Sequence, residues 1–322
     1  MQAALALVGD DLKNVEAQFK KDLESDVYLI KKVGEYVLAS GGKRIRPTLL
    51  LLSAKLCGYQ GERHVPLASV IEFIHTATLL HDDVVDSATL RRGNASANEV
   101  WGNEASVLVG DFLFSKSFSL MVQAGDLRVL QVLSDATTII AEGEVLQLLC
   151  TSDLEMTEER YIEVVKSKTA VLLSAACEAG AILGTVSADQ QQALSDYGMD
   201  LGIAFQLMDD TLDYIASEEQ FGKEIGHDLE EGKITLPLIH TLQRCTDEEQ
   251  EVIAEVVEKE LLEPGDFEAV FTLVHRYGGI QYTTTVAAEY VTRCKSHLDA
   301  FADSPARRAL IELADYVVSR KR

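Results

Sequence analysis

The chain has 322 residues, with 29 Lys+Arg against 52 Asp+Glu, a formal net charge of −23, 47% hydrophobic residues and only 5 prolines. That apolar share excludes a disordered acidic chain, which cannot bury enough surface to offset its chain entropy. The acidic balance argues against a general nucleic-acid binder, which needs a basic face to neutralise phosphates.

No apolar run is seen that approaches the ~18 residues of a membrane span, so no transmembrane segment is expected. Residues 1–11 carry no basic stretch of the secretory kind, which points to a cytoplasmic chain. The cysteines Cys57, Cys150, Cys177, Cys245 and Cys294 are scattered without a Cys-x-x-Cys pair and read as buried reduced thiols.

Apolar residues recur at three- and four-residue steps nearly everywhere, and the alternation that marks strands is missing. Helices are predicted over 63–86, 103–124, 127–150, 187–215 and 280–302. Segments 105–113 and 194–208 are apolar almost all round, as expected of helices at the centre of a bundle. The fold class is therefore all-α, a single large bundle domain over 1–322 with roughly a dozen helices. Gly58–Gly61, Arg92–Asn94 with Gly102, and Pro264–Gly265 read as short connections. Residues 217–233 form a longer polar stretch with Gly222, Gly226 and Gly232, and polar loops of that length often serve as lids.

Two helix ends repeat one pattern. Asp82-Asp83-Val84-Val85-Asp86 and Asp209-Asp210-Thr211-Leu212-Asp213 are both Asp-Asp-x-x-Asp after a long apolar helical run. Positions i and i+4 share a helix face, so each motif gathers carboxylates that repel unless solvated or neutralised. One copy reads equally as a solvated acidic face. Two copies point to hard cations such as Mg²⁺, which take one or two carboxylates and complete their shell with water and phosphate oxygens.

Basic groups stand beside these motifs. In Gly41-Gly42-Lys43-Arg44-Ile45-Arg46-Pro47 the glycines end one helix and Pro47 suits the first turn of the next. Backbone N–H groups there, with Lys43 and Arg46, make an anion site. Arg91-Arg92-Gly93 follows Asp86 by five residues, and His75 lies two turns before Asp82 on the same helix face. Lys168-Thr169 lies between two apolar runs, and Lys223, Asp228 and Lys233 belong to the polar stretch. Lysines on a lid can close over a phosphate and exclude water. No Walker loop, Gly-x-Gly-x-x-Gly or His-Glu-x-x-His is present.

In this order, ending with Phe205-Gln206-x-x-Asp-Asp-x-x-Asp and Gly232-Lys233-Ile234-Thr235-Leu236-Pro237, the motifs resemble the trans-polyprenyl diphosphate synthases. The resemblance implies that Asp82, Asp86 and Asp209 bind Mg²⁺ directly, while Asp83, Asp210 and Asp213 ligate or hold its water. About three Mg²⁺ ions would serve each active site. It further implies that Arg91, Lys168, Gln206, Lys223 and Lys233, with Thr169 alongside, bind an allylic diphosphate. Lys43, Arg46, His75 and Arg92 would bind isopentenyl diphosphate. Asp82, Asp83, Asp86, Lys168, Asp209 and Lys223 would then form the catalytic set, and the enzyme would be a homodimer, with 103–124 as a candidate interface.

In that family the product grows past the residues four and five before the first aspartate motif, here Thr78 and Ala77. They lie one helical turn, or ~6–7.5 Å, from Asp82, and such small side chains imply a long product of roughly C35 to C45, octaprenyl by best fit. Phe114, Phe118 and Met121 are candidates for a deeper floor. A short-chain synthase is the alternative. A class I terpene cyclase is disfavoured, because it would carry an Asn/Ser/Glu metal motif in place of the second Asp-Asp-x-x-Asp and would lack Lys43 and Arg46. Ser87-Ala88-Thr89 and Asn94-Ala95-Ser96 depart from the family pattern without touching an expected ligand.

Overall fold

The computed structural model describes residues 2–215, 226–259 and 263–319. Among them helices dominate: α1 (Gln2–Asp22), α2 (Tyr28–Ala39), α3 (Ile45–Leu56), α4 (His64–Val85), α5 (Ala97–Trp101), α6 (Asn103–Ala124), α7 (Leu127–Leu149), α8 (Glu158–Val165) and α9 (Val171–Gly184). Then follow α10 (Ala188–Asp213), α11 (His227–Glu230), α12 (Leu236–Leu242), α13 (Asp247–Val257), α14 (Pro264–Arg276), α15 (Gly279–His297) and α16 (Pro305–Ser319). The all-α expectation holds. There are more helices than the dozen expected, because short pieces such as α5 and α11 leave no apolar period to read.

Two local expectations are corrected. A minimal antiparallel hairpin, β1 (Leu90–Arg91) with β2 (Asn94–Ala95), interrupts the helices. Arg92 and Gly93 turn it with positive φ at both positions (54° and 76°), the geometry that matches strand twist in a two-residue turn. Pro264–Gly265 is the start of α14, not a connection. Proline at the first helical position forfeits only an N–H that the helix leaves unpaired, and a Glu263/Asp266 capping box fixes the end.

The chain divides into two compact units, each assembled from three segments. One comprises Met1–Thr137, Leu172–Ser195 and Ala300–Glu312; the other comprises Thr138–Val171, Asp196–Asp299 and Leu313–Arg322. In the first unit α4 is the organising helix. Leu67, Ile71, Phe73, Ile74, Ala77 and Leu80 are fully buried, and the Phe73 ring stacks on Phe19 of α1 with centroids 4.2 Å apart. Leu49–Leu52 of α3 have no exposed surface at all, as the all-round apolar pattern requires. In the second unit α10 is central, with Tyr197, Leu201, Ile203, Ala204 and Leu207 fully buried. Each of the buried leucine and isoleucine side chains contributes about 1.5–3 kcal/mol, so α10 is fixed by packing far more than by helix propensity.

The reading of α6 needs amending. It is 22 residues long with a mean hydropathy of 1.4 over its best window, enough by length and composition to cross a membrane. Glu104, Asp111 and Lys116 break its apolar runs and hid this in a run-by-run reading. In the structure α6 packs along α4, and the Ser106 hydroxyl donates to the Leu80 carbonyl over 3.0 Å. Its burial is one-sided: Val109, Leu113 and Met121 are covered, while Leu108 and Val122 are 66% and 65% exposed.

Candidate active site

In the first unit the basic motifs converge. Ser40 caps α2, and the chain then takes left-handed backbone at Gly41 (φ 79°), Gly42 (φ 138°) and Arg44 (φ 50°) before α3 begins at Ile45. Pro47 lies in the first turn of α3, as read from the sequence. Arg92, on the hairpin tip, donates from Nη1 to the Gly41 carbonyl. The φ of 138° at Gly42 is what requires glycine there, and a Cβ would in addition stand 2.7 Å from that guanidinium. The Arg46 Nη1 lies 3.1 Å from His75 Nε2. Burial, then Arg46, Arg92, Arg91 and Arg44, hold the His75 ring well below its ordinary pKa. His75 is therefore neutral and accepts from Arg46. Arg46, His75 and Arg92 thus belong to one cationic neighbourhood in a strongly acidic chain, with Lys43 on the backbone turn that Arg92 holds.

The first aspartate motif closes α4, with Asp86 as its C-cap. Asp83 turns inward, is 3% exposed, and accepts from Arg91 Nε at 2.7 Å and from Arg91 Nη2. Burial raises its pKa and Arg91 opposes that rise. Asp82 and Asp86 are half-buried. Arg91 is therefore committed to Asp83 here, and the expectation that it grips an allylic diphosphate requires this pair to open.

The second unit carries the other site residues. Between α8 and α9 the helix widens into one π turn, Lys166–Ala170, which presents Lys168 and Thr169. Single π turns recur at functional positions. Two glycines let neighbouring helices close on this turn. A Cβ on Gly143 of α7 would lie 2.7 Å from Ser167 Cβ, and one on Gly202 of α10 would lie 2.5 Å from Ala170 Cα. Lys168 Nζ pairs with Glu144 Oε2 at 2.8 Å. Thr169 Oγ1 donates to Gln206 Oε1 at 2.9 Å, and Gln206 Nε2 donates to Asp210 Oδ1 at 2.7 Å. Tyr161 of α8 donates its hydroxyl to Asp210 Oδ2, so both oxygens of Asp210 accept hydrogen bonds. Tyr161, Lys168, Thr169, Gln206 and Asp210 line a cavity of about 110 Å³ that also reaches Lys233. Lys233 is paired with Glu231.

Asp213 accepts from the backbone N–H groups of Gly226, His227 and Asp228 at 3.1–3.3 Å, closing the turn that leads into α11. Burial raises Asp210 to about 7, and raises Asp213 and Asp228 as well. Concentrated acid without enough cation is the physical state of this neighbourhood. Hard oxygen donors whose ionisation is costly suit a divalent cation. Among the described residues no three such side chains gather into a ready-made cage.

Lys223 lies outside the described residues, as does much of the polar stretch around it. Ala77 is fully buried beside Phe73, Leu80 and Leu113, and Thr78 donates to the His75 carbonyl at 2.9 Å. Glu144 and Tyr161 were not singled out from the sequence. An acid on an exposed-looking helix face and a tyrosine within an apolar period carry no local signal of their partners.

The sequence profile of the family described as polyprenyl synthetase matches residues 27–274. The chain belongs to that family. It is 46% identical over 320 residues to octaprenyl diphosphate synthase from Escherichia coli (strain K12), covering 98% of each chain. Among solved structures, a decaprenyl diphosphate synthase from Rhodobacter capsulatus is similar at TM-score 0.95 and 43% identity, covering 99% of this chain and 98% of that one. A polyprenyl synthase from Caulobacter crescentus CB15, described as complexed with calcium and isoprenyl diphosphate, is similar at TM-score 0.95 and 42% identity, covering 100% and 98%.

Proposed function

We propose that the protein condenses an allylic diphosphate, such as farnesyl diphosphate, with successive isopentenyl diphosphates to a long-chain all-trans polyprenyl diphosphate. The observation that carries this reading is the cationic neighbourhood of Arg46, His75 and Arg92, with Lys43 in the adjoining turn, inside a chain of net charge −23. An anionic substrate explains why it is kept. Relatives named octaprenyl and decaprenyl diphosphate synthase, whose names specify chains of eight and ten isoprene units, support a long product over a short-chain one, and within the expected C35 to C45 range octaprenyl is the best fit.

In this reading Lys43, Arg46 and Arg92 bind the diphosphate of isopentenyl diphosphate, with neutral His75 orienting Arg46. Lys168, Thr169, Gln206, Lys223 and Lys233 take the allylic diphosphate, Lys168 exchanging Glu144 for a phosphate oxygen. The aspartates of the two motifs would hold Mg²⁺, about three ions with substrate, and the metal would supply charge neutralisation for departing pyrophosphate. Breaking the allylic C–O bond leaves a carbocation, the double bond of isopentenyl diphosphate attacks it, and a proton passes to the released pyrophosphate. Fixed cations aimed at the leaving group are the main source of acceleration, and no protein nucleophile is needed. The same reading takes the enzyme to be a cytoplasmic homodimer. Its five free thiols suit a reducing compartment, and the exposed Leu108 and Val122 of α6 suit an interface.

The test is pyrophosphate release with isopentenyl plus farnesyl diphosphate, with and without Mg²⁺, followed by radiolabelled product sizing. Absence of release with farnesyl or a shorter primer sinks the reading.

A further inference from the structure

Arg44 stands between the two cations expected to bind isopentenyl diphosphate, yet its side chain does not join them. It is 18% exposed, and its Nη1 donates to Glu72 Oε2 at 2.8 Å, where the Glu72 side chain is only 6% exposed. Its Nη2 donates to the Leu38 carbonyl at 3.0 Å, and its Nε lies 3.6 Å from Glu16 of α1. Its own carbonyl accepts from the Thr48 hydroxyl at 2.7 Å and from the Thr48 N–H at 3.1 Å. Four helices thus converge on one residue, and that residue holds a left-handed backbone (φ 50°) that a non-glycine adopts at a cost.

Glu72 lies one helical turn before His75 on α4, so both reach the same side. His75 meets Arg46 and Glu72 meets Arg44, two residues apart on the other partner. A buried carboxylate is expensive even when paired, and burial does raise the pKa of Glu72 against the pull of Arg44, Arg46 and Arg92. Such a group persists where the surrounding structure gains from it.

We propose that Glu72 is a positioning residue for isopentenyl diphosphate. Through Arg44 it locks the left-handed turn at 41–44, so that Lys43 and Arg46 are presented together at the start of α3. It acts through Arg44 and does not touch substrate. The proposal rests on the reading that Lys43, Arg46 and Arg92 hold that diphosphate, and it adds two residues which that reading leaves without a role.

The experiment compares wild type with Glu72→Gln, Arg44→Lys and the double variant, varying each substrate in turn and recording melting curves. The expected result is a KM for isopentenyl diphosphate raised about 10- to 100-fold in either single variant, the range spanned by one charge-assisted hydrogen bond. The KM for the allylic diphosphate stays within about twofold, and the double variant is no worse than the poorer single one. Arg44→Lys keeps the charge and so guards against an unfolded Glu72→Gln. Equal rises in both KM values, or lowered melting with unchanged KM, mark a general brace and overturn the proposal. Wild type active with every variant unchanged overturns it alone. Wild type silent with every primer overturns the functional reading, and the proposal with it.

Discussion

His75 illustrates how one residue can be useful by staying uncharged. Its half-buried ring is desolvated and lies in the field of Arg46, Arg92, Arg91 and Arg44, so its pKa in the fold lies well below the ordinary value near 6.5 that it has in the unfolded chain. Neutral His75 therefore contributes fully above about pH 6.5, and its contribution is lost as pH falls toward the depressed value. Between the two, the unfolded chain binds a proton that the folded one refuses. Denaturation between about pH 5 and pH 7 should show wild type losing up to ~1.4 kcal/mol more per pH unit than His75→Gln. A parallel pair of curves would contradict the assignment.

At the scale of elements, the π turn at Lys166–Ala170 turns an apolar helix into a site. It projects Lys168 and Thr169 because Gly143 and Gly202 let α7 and α10 approach it. Gly202→Ala is expected to displace the turn, costing about 1–3 kcal/mol in stability through overpacking. It should lower kcat/KM for the allylic substrate and leave the KM for isopentenyl diphosphate unchanged, a split that two-substrate kinetics reads directly. Lys168 was legible in the sequence as a lysine between apolar runs that needs a reason to be there, and Gln206 only through the resemblance. Glu144 and Tyr161 were not. Their importance arises from pairing at a distance of 24 and 49 residues, and nothing local encodes that. Long helices such as α4 and α10 were legible because their period repeats over many turns. Segments as short as α11 and the hairpin at Leu90–Ala95 are decided by caps and turn residues instead.

For the whole molecule, the charge of −23 and the anionic substrates pose one problem with two solutions. The cationic neighbourhood around Arg46 needs no metal, whereas the acids around Asp210 do. Chelation with EDTA should therefore abolish binding of the allylic diphosphate while isopentenyl diphosphate still binds, and titration calorimetry with each substrate separates the two. Product length is also a property of the assembled core. Ala77 is fully buried in the cluster of Phe73, Leu80 and Leu113, so Ala77→Tyr should shorten the radiolabelled product toward C15–C20 and cost about 1–3 kcal/mol. An unchanged product would remove Ala77 from the growth path.

The chain passes from one compact unit to the other at 137/138, 171/172, 195/196, 299/300 and 312/313. None of these passages falls in a loop: four lie within α7, α9, α10 and α16, and the fifth lies in the short 3₁₀ turn Leu298–Ala300. No single cut in the backbone, and no contiguous stretch of the gene, therefore yields either unit whole. Halves cannot be expressed separately or exchanged between relatives by one crossover. The enzyme is inherited, synthesised and lost as one indivisible piece.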